Sequence, residues 1–155
     1  MTERLRIRDA SAADLEAIVW LLRENVIREI DETTVPPAAY RPAFDEILAD
    51  PNQQLLVGEA GDQVVATVQL TWARRLTYVG GLFCIVESVR VRSDQRSQGF
   101  GRQLMEHVLY LARERGAARV ELTTNAQRER AREFYRRLGF VASHIGMKYY
   151  LGGES

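Results

Sequence analysis

The sequence predicts a mixed α/β fold, one domain over residues 1–155, and three observations carry that expectation. Two strand-like runs, 55–57 and 64–72, flank the turn pair Gly61-Asp62, as in a hairpin. A long apolar run, 82–91, is followed by a polar loop and an amphipathic helix opening at Phe100. From there strands and helices alternate, and each helix is closed by a glycine, Gly116 and Gly139.

The elements follow in order. Leu5-Arg6-Ile7-Arg8 alternates apolar and polar residues, the period of a short strand. Ser11 fits an N-cap, with Asp14 three residues on in the capping-box position. Leu15, Ile18, Val19 and Leu22 recur at helical spacing, and Val26, Ile27 and Ile30 extend that face. Residues 33–42 (TTVPPAAYRP) break the pattern. A second short helix turns Phe44, Ile47 and Leu48 inward and stops near Asp50-Pro51, since the residue before proline is pushed out of helical geometry. The hairpin strands come next, 73–81 is a loop, and 82–91 is the third long strand. In the helix from Phe100, positions 104, 108, 111 and 112 form one apolar face. Residues 120–123 are a further strand, and Ala131, Phe134, Tyr135 and Leu138 stripe the last helix. Phe140-Val141 and 147–151 are expected as two closing strands. The expected order is β-α-α-β-β-β-α-β-α-β-β, with about four helices.

Bulk properties narrow the function classes. Lys and Arg number 21 and Asp and Glu 21, for a net charge of +0. A general nucleic-acid binder shows a basic surplus, so no nucleic-acid partner is expected. Cys84 is the only cysteine, which excludes an intramolecular disulfide and a Cys-based metal cluster, and it is expected as a small core residue. No metal site is expected. MTERLRIRDA holds no apolar signal core, and no run approaches spanning length. No membrane partner is expected, and a cytoplasmic location is the default.

The densest signal is 86–105, VESVRVRSDQRSQGFGRQLM. Its order is strand, loop rich in backbone donors, helix N-terminus. Unpaired N–H groups and the helix dipole suit that N-terminus to a phosphate or pyrophosphate. Gly99 and Gly101 carry no side chain to hold a ligand off the backbone. Arg96 adds a cation whose fork matches phosphate oxygens. Leu104 stands where the dinucleotide fingerprint needs its third glycine, and no G-x-x-x-x-G-K-[ST] occurs. Spacing alone also fits an ordinary strand-to-helix turn built on two glycines.

Three segments together resemble the GCN5-related N-acetyltransferase family. Glu87-Ser88-Val89-Arg90-Val91 followed by Arg96-Ser97-Gln98-Gly99-Phe100-Gly101 is similar to its acyl-coenzyme A motif. Val120-Glu121-Leu122-Thr123 matches the next strand, and Ala131 to Phe140 matches the ending A-x-x-F-Y-x-x-x-G-F. The resemblance implies a central, twisted, mostly antiparallel sheet splayed between the fourth and fifth strands, with the pantetheine arm of acetyl-CoA in the gap. The backbone of Val89 and Val91 would pair with that arm. The pyrophosphate would sit on the amides of Ser97, Gln98, Gly99, Phe100 and Gly101, flanked by Arg96 and Arg102, and Arg90 is a further cofactor-binding candidate. The implied reaction is direct acetyl transfer to an amine in a ternary complex. Neutral charge and the lack of a polyacidic groove favour a small-molecule amine over a basic peptide. A non-catalytic acyl-CoA-binding sensor and a protein or peptide acetyltransferase are the other readings. Homodimers are common in the family.

The resemblance also assigns roles. Tyr135 matches the family's general acid for the departing thiolate, and its place in the apolar stripe fits a core aromatic equally. Glu87 is the candidate base, since burial in an apolar strand would raise its pKa; a Glu that holds waters or pairs with an arginine fits too. The Val89 N–H is the candidate oxyanion donor. Asn125 is the candidate for a cofactor-binding Asn, but it lies three residues before the family's usual position, which Arg128 occupies, and a turn cap is its other reading. His107 is expected as a surface or structural residue, and His144 is a remote candidate on the substrate side. Arg128, Arg130, Arg132, Arg136 and Arg137 are expected as a solvated face. Asp31, Glu32, Tyr40, Trp72, Arg74 and Tyr78 are expected to wall the acceptor pocket.

Overall fold

A hairpin anchors the sheet. In the computed structural model, which describes residues 3–24 and 34–152, β2 (Gln53–Ala60) and β3 (Gln63–Arg74) pair antiparallel across Gly61, which takes φ +63°. A turn at positive φ costs glycine little, and this one reverses the chain within two residues. β1 (Arg6–Asp9) adds antiparallel to β2, and β4 (Leu82–Val91) adds antiparallel to β3. β5 (Arg119–Leu122) lies parallel to β4, so the sheet order is β1-β2-β3-β4-β5.

Period-two alternation gives the sheet two apolar faces. Leu55 and Val57 face α1 (Leu15–Arg23) and α2 (Arg41–Ala49), meeting Leu15, Ile18, Val19 and Phe44. Leu56, Val68, Leu70, Cys84 and Val86 face α4 (Phe100–Glu114), meeting Phe100, Leu104, Met105, Val108 and Ala112. α5 (Glu129–Arg137) rests on the same side through Phe134, Tyr135 and Leu138. α1 starts where the capping box closes: the Ser11 amide donates to Asp14 Oδ2 at 2.7 Å, and the Asp14 amide donates to Ser11 O at 2.9 Å. α4 ends at Gly116, which takes φ +68° past the last turn.

Several expectations change. Leu48 is 38% exposed rather than inward, because α2 is short and buries only Phe44 fully. Residues 77–80 form a single turn, α3 (Thr77–Gly80), with Tyr78 and Val79 left-handed at φ +54°. Val26, Ile27, Ile30, Asp31, Glu32 and Thr33 lie outside the described residues. The two closing strands are absent: residues 140–150 take no regular secondary structure and join no ladder, and among the described residues the sheet ends at β5. Phe140 packs on the core, whereas Val141, Ile145, Met147 and Leu151 are among the most exposed residues.

Candidate active site

β4 serves two partners unequally. Its first half pairs with β5 from Phe83↔Arg119 to Val86↔Leu122, and there the parallel ladder stops. From Glu87 to Val91 the strand keeps β3 on one edge only. A bulge sits at the point of divergence. Gln69 pairs with Glu87 and Thr67 with Arg90, so Ser88 and Val89 together oppose Val68. Ser88 takes φ +55° to make this possible. A bulge bends the strand and re-aims its side chains, here at the mouth of the gap between β4 and β5. The apolar run gave no sign of it, since the only local hint is the Glu-Ser pair interrupting the pattern.

The loop after β4 builds the second part. The Arg92 amide donates to Val65 O at 2.7 Å, which ties the strand end to the sheet. Residues 93–95 make one tight turn, closed from the Gln95 amide to Arg92 O at 2.9 Å. Ser97 takes φ +67° and Gly99 φ +80°, two left-handed residues just before α4. Alternation of handedness turns successive amides toward one side, the geometry of an anion nest. α4 has no side-chain cap on its N-terminus and no acidic residue in its first turn. Nothing of the helix itself therefore competes with an incoming anion for those amides. Arg96, Ser97, Gln98 and Gly99 are exposed, whereas the Phe100 ring is buried in the core and offers only its amide.

Gly101 lies where three elements meet, and a side chain there would make ordinary contacts. A Cβ there would stand 3.4 Å from the Phe134 ring and 3.8 Å from Val91 Cγ2. The end of β4, the start of α4 and the middle of α5 thus converge on one point. Tyr135 follows from that docking: its ring meets Phe134 edge-on at 5.1 Å and Phe140 at 5.7 Å. Burial pushes the Tyr135 phenol up from its ordinary value, while the nearby Arg90 and Arg128 cations pull it back in part. The phenol is a proton holder at neutral pH, which suits a donor to a departing anion.

The remaining expected residues divide. Arg90 Nη1 donates to Val89 O at 3.0 Å, and Arg96 Nε reaches Val91 O at 3.4 Å, so both arginines lie along the open edge. Arg102 turns along its helix to Glu106 Oε1 at 2.8 Å rather than toward the loop. Asn125 Oδ1 accepts from the Gln127 amide at 2.9 Å, the turn-capping role. Glu87 is exposed, so the burial expected to act on it is missing: it keeps its register partner Gln69 and, by alternation, points to the face opposite buried Val86. Trp72, Arg74 and Tyr78 do not wall this gap. They sit with Cys84, Leu82 and Phe83 at the opposite end of β4, because the hairpin register carries 72–82 away from 87–91. Tyr40 is half-buried beside the α1–α2 layer. His107 stacks near Tyr110 at 6.1 Å, and exposed His144 contacts Ser143 Oγ. Cys84 is fully buried and its thiol is pushed up to about 11 by that burial, which leaves it inert. Arg128 is expected on a solvated face, yet it lies close enough to act on Tyr135; the sequence signal was its place at the family's usual Asn position.

Among the described residues no group of three or more His, Cys, Asp or Glu could hold a metal, and no helix is long and apolar enough to cross a membrane. An open strand edge beside an uncapped, nest-forming helix start fits an extended ligand that ends in a pyrophosphate.

Comparison with known proteins shows the family and the fold. The chain is 31% identical over 139 residues to aminoalkylphosphonate N-acetyltransferase of Salmonella typhimurium, covering 90% of this chain and 86% of that one. It is 27% identical over 150 residues to the L-methionine sulfoximine/L-methionine sulfone acetyltransferase of Pseudomonas aeruginosa, covering 92% and 86%. A solved structure from Bacillus halodurans, described as a transcriptional regulator, superposes with a TM-score of 0.88 at 40% identity, covering 96% of this chain and 100% of the other. The acetyltransferase (GNAT) family model matches residues 16–140, and the chain belongs to that family.

Proposed function

We propose that the chain moves the acetyl group of acetyl-CoA to the primary amine of a small molecule, directly, with both substrates held together. The chain is an acyltransferase by its family; the acceptor class, the direct route and the residue roles are the proposal. The observation that carries it is the open β4 edge at 87–91 beside the Ser97–Gly99 nest. Both curated relatives are named for small-molecule acceptors.

When bound, the thioester supplies an activated acyl group. The chain's residues do the rest. Val89 and Val91 offer backbone groups to an extended arm, and the amides of 97–101 with Arg96 take the pyrophosphate. Holding the two reactants in attack geometry removes much of the barrier. The Val89 N–H donates to negative charge developing on the carbonyl oxygen. Tyr135 holds the proton that the departing sulfur needs. Glu87, at the mouth of the gap, accepts the amine proton directly or through water.

The test is a panel of amines and amino acids with acetyl-CoA, read by free thiol. Turnover with a small amine is expected. Turnover with peptides alone would move the acceptor to a protein amine. The likeness to a structure described as a transcriptional regulator favours a second reading, a sensor that binds acyl-CoA without transfer; binding heat with no thiol release across the panel would establish it. A pH–rate profile of Glu87→Gln that overlays the parent's would remove Glu87 as base.

A further inference from the structure

Cross-strand pairing places a chain of side-chain amides beside Glu87. Gln69 on β3 is the register partner of Glu87, so the two side chains share a face of the sheet, with Cβ atoms about 5 Å apart. Gln69 also pairs with Leu55 on β2, which packs among the α1 and α2 residues, so this is the face opposite α4. The chain of amides starts at Asp50, just past α2. Its carboxylate accepts from the Asn52 amide at 2.8 Å and from Gln53 Nε2 at 3.1 Å. Gln53 Oε1 in turn accepts from Gln69 Nε2 at 2.8 Å.

An ionised carboxylate only accepts, and these hydrogen bonds hold Asp50 below its ordinary range, so it is ionised at neutral pH. The direction of every link follows. Gln53 must turn its NH2 toward Asp50 and therefore its oxygen toward Gln69. Gln69 must answer with its own NH2, which leaves Gln69 Oε1 as the open end of the chain. That oxygen accepts from no described residue. Gln69 is half-buried and Glu87 is exposed, so a ligand that reaches Glu87 meets the Gln69 oxygen beside it.

We propose that Gln69 is a specificity-determining residue whose side-chain oxygen selects a primary amine, in partnership with Glu87; this rests on the acyl-transfer reading with Glu87 as base. A neutral primary amine brings two N–H groups. One proton passes to Glu87 as the nitrogen lone pair forms the C–N bond. The C–S bond breaks toward sulfur, which takes the Tyr135 proton. The second N–H stays on nitrogen, becomes the amide N–H of the product, and donates to Gln69 Oε1. A secondary amine has one N–H, gives it to Glu87, and sets its extra carbon against the oxygen. A site with a fixed acceptor rejects a partner that lacks the donor, because the acceptor loses water and gains nothing in return.

Steady-state rates with the fastest primary amine of the panel and with its N-methyl derivative test it. The unaltered protein is expected to prefer the primary amine in kcat/KM by about 10- to 100-fold. Gln69→Met keeps the length of the side chain and removes the acceptor. It should cut that preference about tenfold, by slowing the primary amine, with binding heat for acetyl-CoA unchanged. Gln53→Met leaves Gln69 in place and cuts its tether, so the preference should fall part of the way. Equal use of both amines by the unaltered protein overturns the proposal. So does a Gln69→Met protein that keeps the full preference or loses both amines in equal proportion. In those cases thiol release by the unaltered protein leaves the acyl-transfer reading standing; no thiol release with any amine overturns both.

Discussion

Tyr135 shows how one side chain can satisfy two demands. It belongs to an apolar stripe, and its phenol is held above its ordinary value by burial against opposing arginine cations. Tyr135→Phe keeps the ring and loses the proton. Turnover should fall by about 10²-fold, within the usual yield of a general acid, with acetyl-CoA affinity unchanged by calorimetry; full turnover would reduce Tyr135 to packing. Asp14 is a purely structural counterpart. Arg8 donates to both its oxygens, at 2.7 and 3.0 Å, and also to Glu59 Oε1 at 2.5 Å. The hydrogen bonds from Arg8 hold the Asp14 carboxyl below its ordinary range against the cost of its burial. A lowered carboxylate stabilises the fold above its unfolded pKa, and that contribution fades as pH falls through the folded value. Asp14→Asn should therefore cost about 2 kcal/mol at neutral pH, in urea unfolding, for a pair whose arginine is part-exposed. The gap to the parent should shrink on acidification below pH about 4; a gap that persists at low pH would show the loss is steric. The capping pattern Ser11–Asp14 was legible in the sequence, and the Arg8 contact was not, since it spans two elements.

Elements were legible where period and punctuation agreed. Residues 82–91 and the helix from Phe100 emerge as expected because a long apolar run and a glycine stop leave one solution. The bulge at Ser88 was hidden, because alternation cannot reveal an extra residue opposite Val68. The missing closing strands were misread for a different reason: a strand pattern states what a segment can pair, not which edge it finds. Two glycine-type conformations give tests at this scale. Gly99 holds φ +80° at the start of α4, so Gly99→Val strains the nest and should abolish measurable binding heat with acetyl-CoA while the protein stays folded. Val79 is a β-branched residue at φ +54°, fully exposed in α3. Left-handed geometry costs such a residue about 1–2 kcal/mol, and glycine returns part of that gain through its looser unfolded chain. Val79→Gly should raise Tm by roughly 2–4 °C in calorimetry, with turnover unchanged because α3 lies at the far end of β4. A lowered Tm would mean that Val79 makes a contact in solution that offsets its strain.

At the scale of the molecule, the site is a place where the architecture leaves polar groups uncommitted. β4 gives up its ladder to β5 after Val86, and α4 begins without a cap. Both omissions cost stability in the unliganded protein, since exposed edges and helix ends rely on water for their partners. A ligand that supplies those partners must bind the folded chain and not the unfolded one. By mass action, acetyl-CoA at a hundredfold its Kd adds about 2.7 kcal/mol, which for a chain of this length is roughly 5–10 °C in Tm. The same shift is expected for Tyr135→Phe, because in the proposed mechanism the phenol serves the leaving sulfur and not the grip of the main chain. No shift is expected for Gly99→Val. If Tyr135→Phe loses the shift along with turnover, Tyr135 contributes to holding the ligand, and the separation drawn here between a main-chain binding site and a side-chain proton donor is wrong.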